Sequence, residues 1–141
     1  MNSLYKQFIL IVLLALFCTI THADKLSIVY KGDMAKLTLN NDDIADIFMG
    51  RSAKHDLTPI DSQNPEIREA FYQTIVGMSS QQLRAYWAKR VFTGRGRPPK
   101  RLNKQQLLEE LDSKSNIISY TRYDQVLDNK LVIKNINTGE R

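Results

Sequence analysis

The sequence predicts a single α/β lobe. Two observations carry this. Short β-rich runs alternate with helical patterns that bring their own caps, the arrangement of an α/β domain. The chain beyond its first 23 residues, 24–141, has the length of one ordinary domain. Four helical segments and four strands fill one layered lobe and are too few for two.

The first element is a leader. Lys6 supplies a positive start, Phe8 to Phe17 is an apolar run, and Thr21-His22-Ala23 offers small residues at the two positions that a signal peptidase reads. This three-part pattern is that of a cleaved secretory signal. A membrane span needs about 20 apolar residues, and here Thr19 and Thr21 interrupt the run. The expected product is a periplasmic domain, residues 24–141, released by cleavage after Ala23. The one cysteine, Cys18, lies in the leader, and Phe17 before it is too large for a lipoprotein signal. The mature domain therefore has no thiol or disulfide, and packing alone must hold it.

Leu26 to Tyr30 reads as the first strand. Asn40 or Asn41 caps a helix with Asp42 and Asp43 in its first turn and Ile44, Ile47 and Phe48 on one face, and Gly50 ends it. Leu57 to Ile60 is a second strand. Asn64-Pro65 starts a helix with Ile67, Phe71 and Ile75 in register, closed by Gly77. Ser79 and Gln82 form a capping box for the next helix, whose stripe is Leu83, Trp87 and Val91. Thr93 to Pro99 (TGRGRPP) is a loop. Asn103 and Gln106 open a helix with Leu107, Leu108 and Leu111 inward. Asn116 to Thr121 and Leu131 to Ile136 are strands.

A net charge of +5 favours anions without naming one, and export argues against nucleic acid as a partner. The best anion site is the entrance to the Asn64 helix. Strand Leu57–Ile60 runs through Asp61-Ser62-Gln63 into a helix N-terminus, where unpaired N–H groups and the dipole favour negative charge. Ser62, Gln63 and Asn64 add donors, Arg68 adds charge, and Asp61 is read as an acceptor for the proton of a ligand such as hydrogen phosphate. The Gly-x-Gly of the basic loop lacks the strand–turn–helix context of a dinucleotide site. His55 stands without the convergent ligands that a metal requires, and no Gly-x-Ser-x-Gly elbow occurs. Neither a cofactor nor an enzymatic activity is expected.

Four segments in order, Leu39–Gly50 (LNNDDIADIFMG), Asp61–Gly77 (DSQNPEIREAFYQTIVG), Tyr86–Pro99 (YWAKRVFTGRGRPP) and Ile117–Tyr120 (IISY), resemble small secreted proteins described as phosphate ABC transporter substrate-binding proteins. The resemblance implies a lobe similar to one half of a type 2 periplasmic binding protein. It also implies a ligand site at the helix near Asn64, with Ser119 and Tyr120 as further contacts. The Ser-Gly-Thr core of full-length phosphate receptors is replaced here by Ser62-Gln63-Asn64-Pro65, which implies weak binding. The expected function is that of an exported, non-enzymatic phosphate or oxyanion binder serving an inner-membrane ABC permease or another envelope protein. The alternative is a cell-envelope protein–protein adaptor that has lost its ligand and whose basic loop, Arg95–Arg101, docks an acidic partner or anionic lipid.

Overall fold

The computed structural model describes residues 25–31, 38–122 and 132–137, the last as backbone. The expected leader and its cleavage point lie outside the described residues. The elements are β1 (Lys25–Lys31), α1 (Asn41–Phe48), β2 (Thr58–Ser62), α2 (Pro65–Phe71), α3 (Ser80–Phe92), β3 (Lys100–Leu102), α4 (Lys104–Ser113), β4 (Ile117–Arg122) and β5 (Val132–Asn137). A π turn, Tyr72–Val76, extends α2.

The helix starts follow local chemistry. Asn40, Ser79 and Asn103 each accept from the N–H three residues on, while the side chain at that position returns the bond, which satisfies donors that a helix end leaves orphaned. Asn64 caps α2, and Pro65 occupies its first position, where no N–H is needed. Gly50 follows α1 at φ +63°, and a Cβ there would sit 3.4 Å from Cη2 of Trp87, so backbone and packing both ask for glycine.

The sheet has five strands in the order β3-β2-β4-β1-β5. β2 runs parallel to β3 and β4, whereas β1 is antiparallel to both β4 and β5. Strand alternation sends Leu26, Ile28, Tyr30, Ile118 and Tyr120 to one face, where they pack with Phe48, Phe71, Tyr72, Leu83 and Trp87 of the helices. Val29, Ile60 and Ile117 point the other way, onto Leu107 and Leu111 of α4. The lobe is thus α/β, with a mixed sheet between two helical layers.

Three expectations need correction. β3 is a fifth strand, only three residues long, between a loop and a helix start. Val91 is 51% exposed, so the α3 stripe stops at Trp87. The π turn after Phe71 inserts extra backbone, so Tyr72 is fully buried and Ile75 only partly.

Candidate functional site

Ile60 and Asp61 point to opposite faces of β2. Ile60 meets α4, and Asp61 enters the other core, where an uncompensated charge would be costly. Asp61 is 1% exposed and compensated on all sides. Its Oδ1 accepts from the Ser62 N–H at 2.9 Å and from the Tyr120 hydroxyl. Its Oδ2 accepts from Arg68 Nε at 2.7 Å and from the Tyr72 hydroxyl at 3.4 Å. A carboxylate offers about four lone-pair sites, and the protein's own donors take them all.

The electrostatics follow. Burial and the Asp61 charge push the hydroxyls of Tyr72 and Tyr120 well above the ordinary tyrosine value. Burial works against the Arg68 cation, but its hydrogen bond to Asp61 and the charge of Asp61 outweigh that and raise its pKa. Arg68 also lies over the Tyr72 ring, 5.0 Å from its centroid. Tyr120 is held by its ring, stacked on Phe71 at 3.8 Å and 3°.

This network changes the roles read from the sequence. Asp61, Arg68 and Tyr120 are brought together, but they bind one another. Asp61 has no acceptor site left for a ligand proton, and the charge of Arg68 is spent on Asp61. Ser119 is also buried, with its hydroxyl donating to the Ile60 carbonyl at 2.9 Å.

The amides of the helix entrance are occupied too. Ser62 donates to Asp61. Gln63 donates to the Leu102 carbonyl at 3.0 Å, and Arg68 to the Asn64 carbonyl at 3.0 Å. Asn64 donates to Ser62 Oγ at 3.1 Å. Glu66 and Ile67 both donate to Asn64 Oδ1, at 2.9 and 3.1 Å. Pro65 has no N–H. The expected unpaired amides of this helix start are therefore absent, because the Asn64 cap and the β3 edge consume them.

Donors remain beside them. A cavity of about 210 Å³ opens at the carboxyl ends of β2, β3 and β4, lined by Ser62, Gln63, Asn64, Asn103, Lys104 and Thr121 over a floor that includes Asp61, Ser119 and Tyr120. Carboxyl strand ends are where open α/β sheets place ligands. The Ser62 hydroxyl proton, the Asn64 and Asn103 side-chain NH₂ groups and the Lys104 ammonium have no acceptor among the described residues. Gln63 makes one long contact, 3.5 Å to the Arg101 carbonyl. The first two N–H groups of α4, Lys104 and Gln105, precede the reach of the Asn103 cap, which takes Gln106. Sequence reading missed Asn103 and Lys104 as site residues, because only β3 brings the start of α4 alongside β2. The Asn103 cap was readable; its neighbour was not.

A larger cavity, about 360 Å³, lies at the opposite strand ends, with Trp87 and Ile47 in its wall. Two of its cations, Lys100 and Lys114, pair with Glu110 at 2.9 and 2.6 Å. Hydrogen bonds from Lys114 and Lys100, with their charges, hold that carboxyl below the ordinary glutamate range. Glu110 takes up two of the cavity's three lining cations, and the rest of the wall is largely apolar, Ile47, Phe48, Ile60, Trp87 and Ile117 among it, so this cavity offers an anion fewer donors.

His55 sits apart, 3.7 Å from Asp43 of α1, and no metal-ligand cluster occurs among the described residues. No helix among them is long and apolar enough to cross a membrane. Comparison with protein-family models, with curated proteins and with solved structures finds no match to this chain.

Proposed function

We propose that this chain is an exported, non-enzymatic binder of a small oxyanion such as phosphate, working as a single lobe similar to half of a type 2 periplasmic binding protein. One observation carries the reading. The cavity at the carboxyl ends of the parallel strands presents Ser62, Gln63, Asn64, Asn103 and Lys104 as donors, while its one carboxylate among the described residues, Asp61, is neutralised by Arg68. A volume of about 210 Å³ suits a small anion better than a drug-sized ligand, which takes roughly 300 Å³ or more. Asp61, Arg68, Tyr72 and Tyr120 form the rigid base that keeps the donors in place.

Binding rather than turnover fits the same residues. The Ser119 hydroxyl is committed to a carbonyl, and His55, the one histidine outside the leader, lies beside α1 and not in the cavity. Such a receptor would pass its anion to an inner-membrane ABC permease or another envelope protein. Affinity is expected to be low, since exposed charge pairs contribute only about 0–1 kcal/mol and salt screens them.

Inorganic phosphate titrated against the protein at low and at physiological salt tests this. Calorimetry should detect weak, salt-sensitive binding. NMR should move the Lys104 and Gln105 amides and the side-chain NH₂ of Gln63 and Asn64, and Lys104→Ala should abolish the shifts. No binding at low salt, or shifts confined to Arg95–Arg97, would overturn the proposal.

A further inference from the structure

The end of α3 presents a second surface of different chemistry. Phe92, its last residue, is 94% exposed, and Val91 beside it is half-exposed. A phenylalanine this open projects from the body of the protein, with its apolar area in water. The surrounding chain carries one sign of charge. Between Glu69 and Glu109 there is no acidic residue, and there are eight Lys and Arg. Three of these, Lys89, Arg95 and Arg97, are exposed within five residues of Phe92 and make no ion pair among the described residues.

The tip is built rather than loose. Arg90 Nη2 donates to the Gly50 carbonyl at 3.0 Å and to the Arg95 carbonyl at 2.7 Å. The Arg95 N–H returns a bond to the Arg90 carbonyl at 2.8 Å. The Arg90 guanidinium also lies 5.6 and 5.8 Å from the ring centroids of Tyr86 and Trp87. At Gly96, whose φ is +140°, a Cβ would come within 3.4 Å of Arg90 Nη2. Arg90 therefore fixes the turn from beneath and leaves Phe92, Lys89 and Arg95 exposed, with Arg97, also exposed, beside the larger cavity that it helps to line.

We propose that this tip anchors the protein to an anionic membrane surface, with Phe92 in the headgroup boundary and Lys89, Arg95 and Arg97 against lipid phosphates. Charge complementarity selects an anionic partner. The projecting side chain selects a bilayer over a protein: a lipid interface accepts one apolar wedge without a shaped pocket, and pairs it naturally with cations. Neither signal anchors firmly alone, and the two together give reversible attachment. The surface is separate from the oxyanion cavity, so each proposal stands or falls independently.

Co-sedimentation of the protein with phosphatidylcholine vesicles, with and without phosphatidylglycerol, tests the anchor. Binding should require phosphatidylglycerol and weaken with salt. Phe92→Ser should lower partitioning about tenfold, the lower end for burying a large apolar side chain. The double substitution Arg95→Gln with Arg97→Gln should lower it about 25-fold, taking about fivefold per cation, and flatten the salt dependence. All three positions are exposed, so melts matching the parent serve as the folding control. Equal binding to neutral vesicles overturns the proposal. So does partitioning that both variants retain, as an uncleaved apolar leader would produce. Binding to polyglutamate with none to vesicles also overturns it, and assigns the tip to an acidic protein.

Discussion

Asp61 and Arg68 form the most consequential pair in the molecule. The carboxylate is 1% exposed and the guanidinium's residue 9%, so neither draws much on water. Breaking such a pair from one side leaves a buried charge unmatched, which costs about 3–5 kcal/mol. Arg68→Ala should therefore destabilise the protein by about that amount, a large share of the roughly 5–15 kcal/mol available to a domain of this size. Urea melts would measure it. If Arg68 served a ligand instead of Asp61, its removal would leave the melt unchanged and affect only phosphate binding. The two roles are thus separable at a single residue.

At the scale of elements, α3 shows how one helix serves two purposes. Leu83 and Trp87 are buried in the core shared with Phe71, and the turn beyond them is open. Truncating a buried aromatic costs about 3–5 kcal/mol, so Trp87→Ala should lower the melting temperature sharply. Val91→Ser, one turn later on the exposed end, should change stability by less than about 0.5 kcal/mol. Equal melts for the two variants would remove Trp87 from the core and undo the packing of α3 described above. The Trp87 indole N–H is buried without a hydrogen-bond partner among the described residues, so Trp87→Phe should be milder than Trp87→Ala.

For the whole molecule, the sheet order ties the chain's ends together. Leu26 of β1 pairs with Arg122 on one side and Ile136 on the other, so this interior strand is flanked on both sides only when the C-terminal third arrives. Ordering of that kind depends on distant contacts and slows folding. The alkaline limit of stability has a similarly collective origin. Tyr72 and Tyr120 have raised pKa values in the folded state, from burial and Asp61. Their stabilisation is complete below the unfolded tyrosine value of about 10 and is lost as pH rises from there toward the folded values. The melting temperature should therefore fall above about pH 10, and less steeply in Tyr120→Phe. In a spectrophotometric titration, Tyr72 and Tyr120 should ionise only with unfolding. Ionisation of either in the native protein would contradict the buried network.

The sequence by itself determined the local grammar of this protein. Asn40, Asn64, Ser79 and Asn103 announce helix starts, because a cap reads groups only two or three residues away. Gly50 and Gly77 announce stops, because only glycine takes the left-handed backbone there without strain. Strands β1, β2 and β4 were readable from their β-rich runs. What only tertiary structure decided depends on partners far along the chain. β3 is three residues long, too short to show a period, and exists because β2 lies beside it. Asp61 and Tyr120 are 59 residues apart, and nothing local distinguishes an aspartate destined for a core from one offered to a ligand. The same holds for Val91 and Phe92, whose helical spacing matches a buried stripe. Their exposure depends on which distant elements reach the end of α3, which no short window of sequence contains.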